Sequence, residues 1–390
     1  MEKTYESLIS SYLDSAEKLS EKEIEERIAE HIYDAANKDM PDKAMNVKIL
    51  LDSVTGYSML QPLIEDESVT EIMVNGKNVF YERAGFLFRY DREVTSENVN
   101  KIINILCRKT DRVVNQAEPI MDGTIGRDIR VNIVLEPISK NGNAITIRKF
   151  PKIPITSGYM LEAGFFSREI CDFLKLIVKS RYNIFICGGA GSGKTTLLNV
   201  LTDFIPRDER VITIEDSAEL NIDNIDNIVR LESRNGNSDG KGEITIDSLI
   251  KSSLRMRPDR IIVGEVREKE ALSMLQAMNT GHDGSISTGH ANSCKDAFTR
   301  LETMVLMGCD MPLYSIRKQI ANAIETVIFL GRIKGKRLIL EIAEVCGCED
   351  NEIVLNTLFE YSYTDRMHKK INDVKNTVKM ERSKDDISSD

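Results

Sequence analysis

The segment Gly188-Gly189-Ala190-Gly191-Ser192-Gly193-Lys194-Thr195 constrains this 390-residue chain more than any other, because it satisfies the phosphate-binding pattern G-x-x-x-x-G-K-[ST]. Its flanks supply the context that the bare pattern needs. Tyr182 to Cys187 is a short apolar run that reads as a buried parallel strand, and Thr195 to Leu201 opens a helix. Four glycines let successive N–H groups turn inward and cradle phosphate oxygens at the positive end of that helix. The expected phosphate contacts are thus Gly188, Gly189, Ala190, Gly191, Ser192, Gly193, Lys194, Thr195 and Thr196. In this pattern Lys194 reaches the β- and γ-phosphates of a nucleoside triphosphate, ATP by default, and the Thr195 hydroxyl ligates Mg²⁺.

Two later apolar strands close on carboxylates. Arg210 to Ile214 ends in Glu215-Asp216, and Arg260 to Val263 leads through Gly264 into Glu265. In a doubly wound sheet the carboxyl ends of the strands face the ligand, which puts these acids at the rim of a phosphate site. There a carboxylate can orient or deprotonate water, or hold Mg²⁺ through water. Taken singly, Glu215 and Asp216 also read as a helix cap or a surface pair. Three arginines, Arg255, Arg257 and Arg260, precede the second strand and suit a phosphate, a neighbouring subunit or a helix end. Two of the four histidines, His282 and His290, fall in one glycine-rich stretch from Thr280 to Asn292. With no cysteine or carboxylate set at ligand spacing beside them, they fit a polar sensor of the γ-phosphate better than a metal site.

Composition bounds the remaining possibilities. A formal net charge of −10 argues against a chain built to wrap a polyanion, and no basic stripe with interleaved aromatics marks a nucleic-acid surface, so no nucleic acid is expected. Seven cysteines without C-x-x-C spacing suit a reducing compartment. The start carries no apolar signal core and no run of eighteen apolar residues occurs, which leads us to expect a cytoplasmic protein that serves any membrane process by docking.

The expected fold class is α/β: a P-loop domain with a doubly wound sheet, preceded by a small α+β domain and a short helical segment. Residues 1–55 are polar with helical spacing of Leu13, Ile24, Ile28 and Ile32. Residues 56–150 mix a hairpin turned on Asn75-Gly76-Lys77-Asn78, a helix from Asn98 to Cys107, and strands at 129–134 and 144–149. A connector at 151–165, stiffened by Pro151 and Pro154, leads into the P-loop domain at 166–362. Residues 363–390 are charged and are expected to form a loosely ordered tail.

In order along the chain, these motifs resemble the type II/IV secretion ATPases, most closely the CpaF branch associated with tight-adherence pili. The resemblance rests on Glu71-Ile72-Met73-Val74-Asn75-Gly76, Thr146-Ile147-Arg148-Lys149-Phe150, the P-loop, Ile212 to Asp216, Arg255 to Arg267, and Thr280-Gly281-His282 with Thr288 to Asn292. The four-cysteine insert of the related pilus-extension ATPases is absent from the sequence, which favours that branch. The resemblance implies a hexameric ring with ATP between an N-terminal domain and a RecA-like domain. It implies Glu215 as activator of water, Glu265 as the Walker B acid and His290 as the residue nearest the γ-phosphate. It makes Arg127, Arg130 and Arg148 candidates to neutralise phosphate charge. It also implies a polytopic inner-membrane platform protein as partner, with the ring at the cytoplasmic membrane face. The function so implied is a motor coupling ATP hydrolysis to pilus assembly or retraction, or to protein secretion. The other readings are a RecA-like nucleic-acid motor and a nucleotide-dependent scaffold with little turnover.

Overall fold

A computed structural model describes residues 57–83, 85–92, 94–126, 129–149, 155–234 and 242–387. The expected helical segment at 1–55 lies outside them, as do Arg127 and the proline connector from 150 to 154. The chain divides into two compact units, 1–152 and 153–390.

In the first unit a short helix α1 (Gln61–Glu65) precedes β1 (Val69–Asn75), β2 (Asn78–Arg83) and β3 (Phe86–Arg89). Helix α2 (Ser96–Thr110) then leads to β4 (Ile120–Ile125), β5 (Ile129–Val134) and β6 (Ala144–Lys149). The strands form an antiparallel sheet in the order β3-β2-β1-β6-β5-β4. The β1–β2 hairpin turns where expected, with Asn75 opposite Asn78 and Gly76 at φ 60°. Alternation sends Ile72, Val74, Val131, Ile133, Ile145 and Ile147 to one face, where they bury against Val99, Ile102 and Leu106 of α2. Helix α2 starts two residues before the expected helix because Thr95 and Asn98 form a reciprocal capping box. Strands β3 and β4 escaped the sequence reading. Asp122, Gly123 and Thr124 interrupt the apolar pattern of β4, whose register comes from pairing along β5.

The second unit opens with α3 (Ser157–Glu162) and α4 (Arg168–Lys179). The core alternates β7 (Ile184–Gly188), α5 (Lys194–Thr202), β8 (Val211–Glu215), β9 (Ile228–Glu232), α6 (Ile246–Ser253), β10 (Arg260–Val263), α7 (Glu270–Asn279) and β11 (Ile286–Gly289). Helices α8 (Cys294–Gly308) and α9 (Leu313–Ala323) follow, then β12 (Thr326–Ile333), β13 (Lys336–Glu349), β14 (Glu352–Ser362), β15 (Met367–Lys370) and α10 (Val378–Ile387). Among the described residues the sheet runs β15-β14-β13-β12-β7-β11-β10-β8-β9, parallel from β12 to β9 and antiparallel from β12 to β15.

Strands β7, β8 and β10 read as unbroken apolar runs because both of their faces are covered. Ile184, Ile186, Val211 and Ile262 pack with α4 and α5 on one side. Phe185, Cys187, Ile212, Ile214, Ile261 and Val263 pack with α6, α7, α8 and α9 on the other. This central placement of β7 holds the phosphate loop between two neighbouring strand ends, β11 and β12.

Two features of the sequence reading are corrected here. Residues 155–165, expected as part of the connector, pack into the second unit, with Met160 and Phe165 buried in its core. Residues 363–387 are not a loose tail. Their charge misled the reading, because carboxylates of the domain hold both the backbone and one lysine of the segment. Glu344, 2% exposed, accepts the N–H groups of Lys375 at 2.9 Å and Asn376 at 2.7 Å. The Lys379 ammonium lies 2.7 Å from carboxylate oxygens of both Asp283 and Glu325.

Candidate nucleotide site

β7 ends at Gly188, and α5 begins at Lys194 behind Gly193, which occupies the left-handed region at φ 99°. Gly191 is also left-handed, at φ 65°. A side chain at Gly188 would meet the Leu330 carbonyl oxygen at 2.5 Å and Ser192 Oγ at 2.6 Å, so only glycine lets the loop leave the sheet there. Helices α4, α6 and α8 are each capped by a side-chain oxygen, from Ser167, Thr245 and Ser293. No side chain caps α5, so its first N–H groups and its positive end are open to an anion. The buried Ser192 hydroxyl has no hydrogen-bond partner among the described residues.

Lys194 is 8% exposed and donates from Nζ to the carbonyl oxygens of Gly188 and Gly189, both at 3.2 Å. Burial pushes its ammonium pKa down, and Glu265, 4.0 Å away, pulls it the other way. Glu265 stands just beyond β10, where Gly264 donates back to the Ile214 carbonyl at 2.8 Å and accepts the Thr288 hydroxyl at 2.8 Å. Its Oε1 lies 2.9 Å from His290 Nε2, and its Oε2 accepts from Arg267 Nε at 2.8 Å and Nη2 at 2.6 Å. Burial lowers the His290 pKa, the charge of Lys194 adds to the effect, and Glu265 opposes it. The net effect favours the neutral imidazole.

Glu215 ends β8 beside this cluster and is 4% exposed, close enough that a side chain on Gly264 would lie 3.1 Å from its Cγ. Burial pushes its carboxyl up to about 7, while hydrogen bonds from the Glu219 and Leu220 N–H groups, at 2.8 and 2.9 Å, pull it down. Asp216 is exposed and accepts from the Ser233 hydroxyl at 2.8 Å. A carboxyl poised near neutrality and an ion-paired carboxylate thus stand next to one phosphate cradle.

The sequence reading singled out some residues that the fold places elsewhere. His282 precedes the amino end of β11, at the opposite edge of the sheet from His290, and its Nδ1 sits 3.2 Å from the Ala277 carbonyl oxygen. Arg260 opens β10 at that same far edge, fully buried. Its guanidinium donates to both Glu209 oxygens, at 2.5 and 3.0 Å, and to the Val178 carbonyl at 2.7 Å, and so holds no phosphate. Parallel strands carry their first and last residues to opposite edges, which separates residues close in sequence. In the first unit, Arg130 and Arg148 face each other across β5 and β6. The reading passed over Arg267 as a site residue, although its place two positions after a strand-end carboxylate was a signal.

The donor set suits Mg²⁺. The Thr195 hydroxyl on the first turn of α5 and the Glu265 carboxylate leave the remaining positions to water and phosphate oxygens. Among the described residues no cluster of three His, Cys, Asp or Glu could hold a metal by itself. No described helix is long and apolar enough to cross a membrane.

Comparison with known proteins fits this geometry. A Mycobacterium tuberculosis protein named for conjugal transfer is 31% identical over 307 residues, covering 76% of this chain and 87% of its own. The type IV secretion system protein PtlH of Bordetella pertussis is 30% identical over 326 residues, covering 77% and 94%. Among solved structures, the pilus retraction motor PilT with bound ADP superposes with a TM-score of 0.54 at 17% identity, covering 85% of this chain and 88% of that one. The Legionella pneumophila ATPase DotB gives 0.52 at 21% identity, covering 78% and 82%. Both likenesses bear on the fold alone, a RecA-like α/β domain preceded in the chain by a small N-terminal domain. The family model for type II/IV secretion system proteins matches residues 54–382, and the chain belongs to that family.

Proposed function

We propose that this protein is a ring-forming ATPase motor, hexameric by analogy, that couples ATP hydrolysis to pilus assembly or retraction or to protein secretion. The observation that carries this reading is the convergence of Lys194, Glu265 and His290 at the carboxyl ends of β7, β10 and β11. In this reading the loop amides and Lys194 bind the β- and γ-phosphates. Thr195 and Glu265 would hold Mg²⁺, which would supply positive charge against the developing phosphate charge. His290 and Arg267 fix the Glu265 carboxylate, and Glu215 accepts the proton of the attacking water. The arginines of the first unit, Arg127, Arg130 and Arg148, are the proposed additional cations for the phosphates. The CpaF-like branch, a polytopic inner-membrane platform partner and a place at the cytoplasmic membrane face complete the proposal, supported by the motif order and by relatives named for secretion.

The test is steady-state phosphate release by the size-fractionated full chain beside Lys194→Ala and Glu265→Gln. The expected outcome is turnover in the wild-type oligomer, loss of nucleotide binding in Lys194→Ala, and binding without turnover in Glu265→Gln. Wild-type binding with phosphate release no faster than Glu265→Gln would instead establish a nucleotide-dependent scaffold.

A further inference from the structure

We propose that Arg332 is a nucleotide-binding residue that grips the diphosphate portion of the bound nucleotide, from the side of the loop opposite Glu265 and His290. The inference rests on the ATPase reading above and extends it to a residue outside the family motifs.

The placement follows from strand lengths. β12 pairs in parallel with β7 as far as Leu330, which lies opposite Gly188. There β7 leaves the sheet as the phosphate loop, while β12 continues through Gly331 and Arg332 to Ile333. The chain then reverses at Lys334 and Gly335, both at positive φ, 50° and 83°, and returns as β13 with Arg337 opposite Arg332. The hairpin tip therefore overhangs the loop. A methyl group on Gly191 would lie 3.9 Å from Arg332 Cζ and 4.0 Å from its Nη2, and one on Gly193 would lie 3.5 Å from Arg337 Cδ.

The charge of this tip points to an anion. Residues 332–337 carry Arg332, Lys334, Lys336 and Arg337 with no acidic residue, in a chain of net charge −10. The other cations of the site have carboxylates: Arg267 pairs with Glu265, and Lys194 lies 4.0 Å from it. Arg332 is exposed, and among the described residues no carboxylate pairs with it. An unpaired guanidinium held against the loop whose amides open toward phosphate is placed to donate two parallel hydrogen bonds to phosphate oxygens. β11 and β10, which carry His290 and Glu265, lie on the other side of β7. The two groups thus divide the nucleotide, with Glu265 and His290 at the terminal phosphate and Arg332 on the part that ADP retains.

The test uses the full-length oligomer with Arg332→Ala, Arg332→Lys and Lys194→Ala, titrated with ADP and followed by KM and kcat for ATP. Arg332→Ala is expected to weaken ADP about tenfold and to raise KM for ATP more than it lowers kcat. Arg332→Lys, keeping the charge without the fork, is expected to recover part of the loss. If Arg332→Ala binds ADP within about twofold of wild type while Lys194→Ala has lost it, the role of Arg332 is overturned and the ATPase reading stands. If the wild-type oligomer binds no ADP, the ATPase reading itself fails and takes this inference with it.

Discussion

Glu265 Oε1 and His290 Nε2 stand 2.9 Å apart, joining the ends of β10 and β11, and the same oxygen is 4.0 Å from Lys194 Nζ. The imidazole nitrogen abuts this oxygen, which accepts no hydrogen bond among the described residues, so His290 restricts where the carboxylate can turn without cancelling its charge. Glu265→Gln should retain ATP and lower kcat by about 100-fold or more, whereas His290→Ala should cost about tenfold, because it removes orientation and leaves the carboxylate. Single-turnover measurements separate the two. Equal losses would mean that the histidine acts on the substrate directly.

Glu215 gives a pH signature. Its carboxyl is raised by burial from the ordinary 4.5 to about 7, so the folded chain binds a proton that the unfolded chain has already released. Stability on this account falls as pH rises from about 4.5 to about 7 and is level above that. Glu215→Gln should remove this slope, moving the difference from wild type by about 3 kcal/mol in the variant's favour between pH 4.5 and 8. Urea unfolding midpoints at the two pH values check it, and a pH-independent difference would show that the group does not titrate as described.

Arg260 supports the fold rather than the phosphate. Arg260→Met leaves Glu209 buried, with its remaining ion pair to Arg181 at 3.2 Å, and should destabilise the chain by about 3 kcal/mol. ADP affinity measured well below the unfolding transition should stay within about twofold of wild type. Adding Glu209→Gln should restore part of the stability. A collapse of ADP affinity in a folded Arg260→Met would return this arginine to the site.

Gly188→Ala tests the exit of the loop from the sheet. The added methyl would sit 2.5 Å from the Leu330 carbonyl oxygen, which cannot yield because Leu330 and Gly188 are register partners. Loss of about 2 kcal/mol of stability, together with nucleotide binding, is expected from thermal melts and ADP titration. An unchanged melt would mean that β12 separates from β7 at this point without penalty.

The sequence by itself determined the chemistry at the centre of this protein. Eight consecutive residues specify an anion cradle through backbone freedom and a lysine, which are local properties, and apolar runs closing on Glu215 and Glu265 mark strand ends in a parallel sheet. Tertiary structure decided which charged residues share that place. His282 and His290 are eight positions apart, yet β11 carries them to opposite edges of the sheet. Arg260 and Glu265 are parted in the same way by β10. Arg332 lies 138 positions after Lys194 and reaches the loop only because β12 pairs beside β7 and outlasts it, a matter of strand order that no local pattern records. The last segment is the same lesson in reverse. Its charges look solvated when read along the chain, yet the segment is held because Glu344 accepts its backbone N–H groups and Glu325 and Asp283 pair with its Lys379, all from positions distant in sequence. Local residue type fixes what a group can do, whereas long-range strand pairing fixes what it meets.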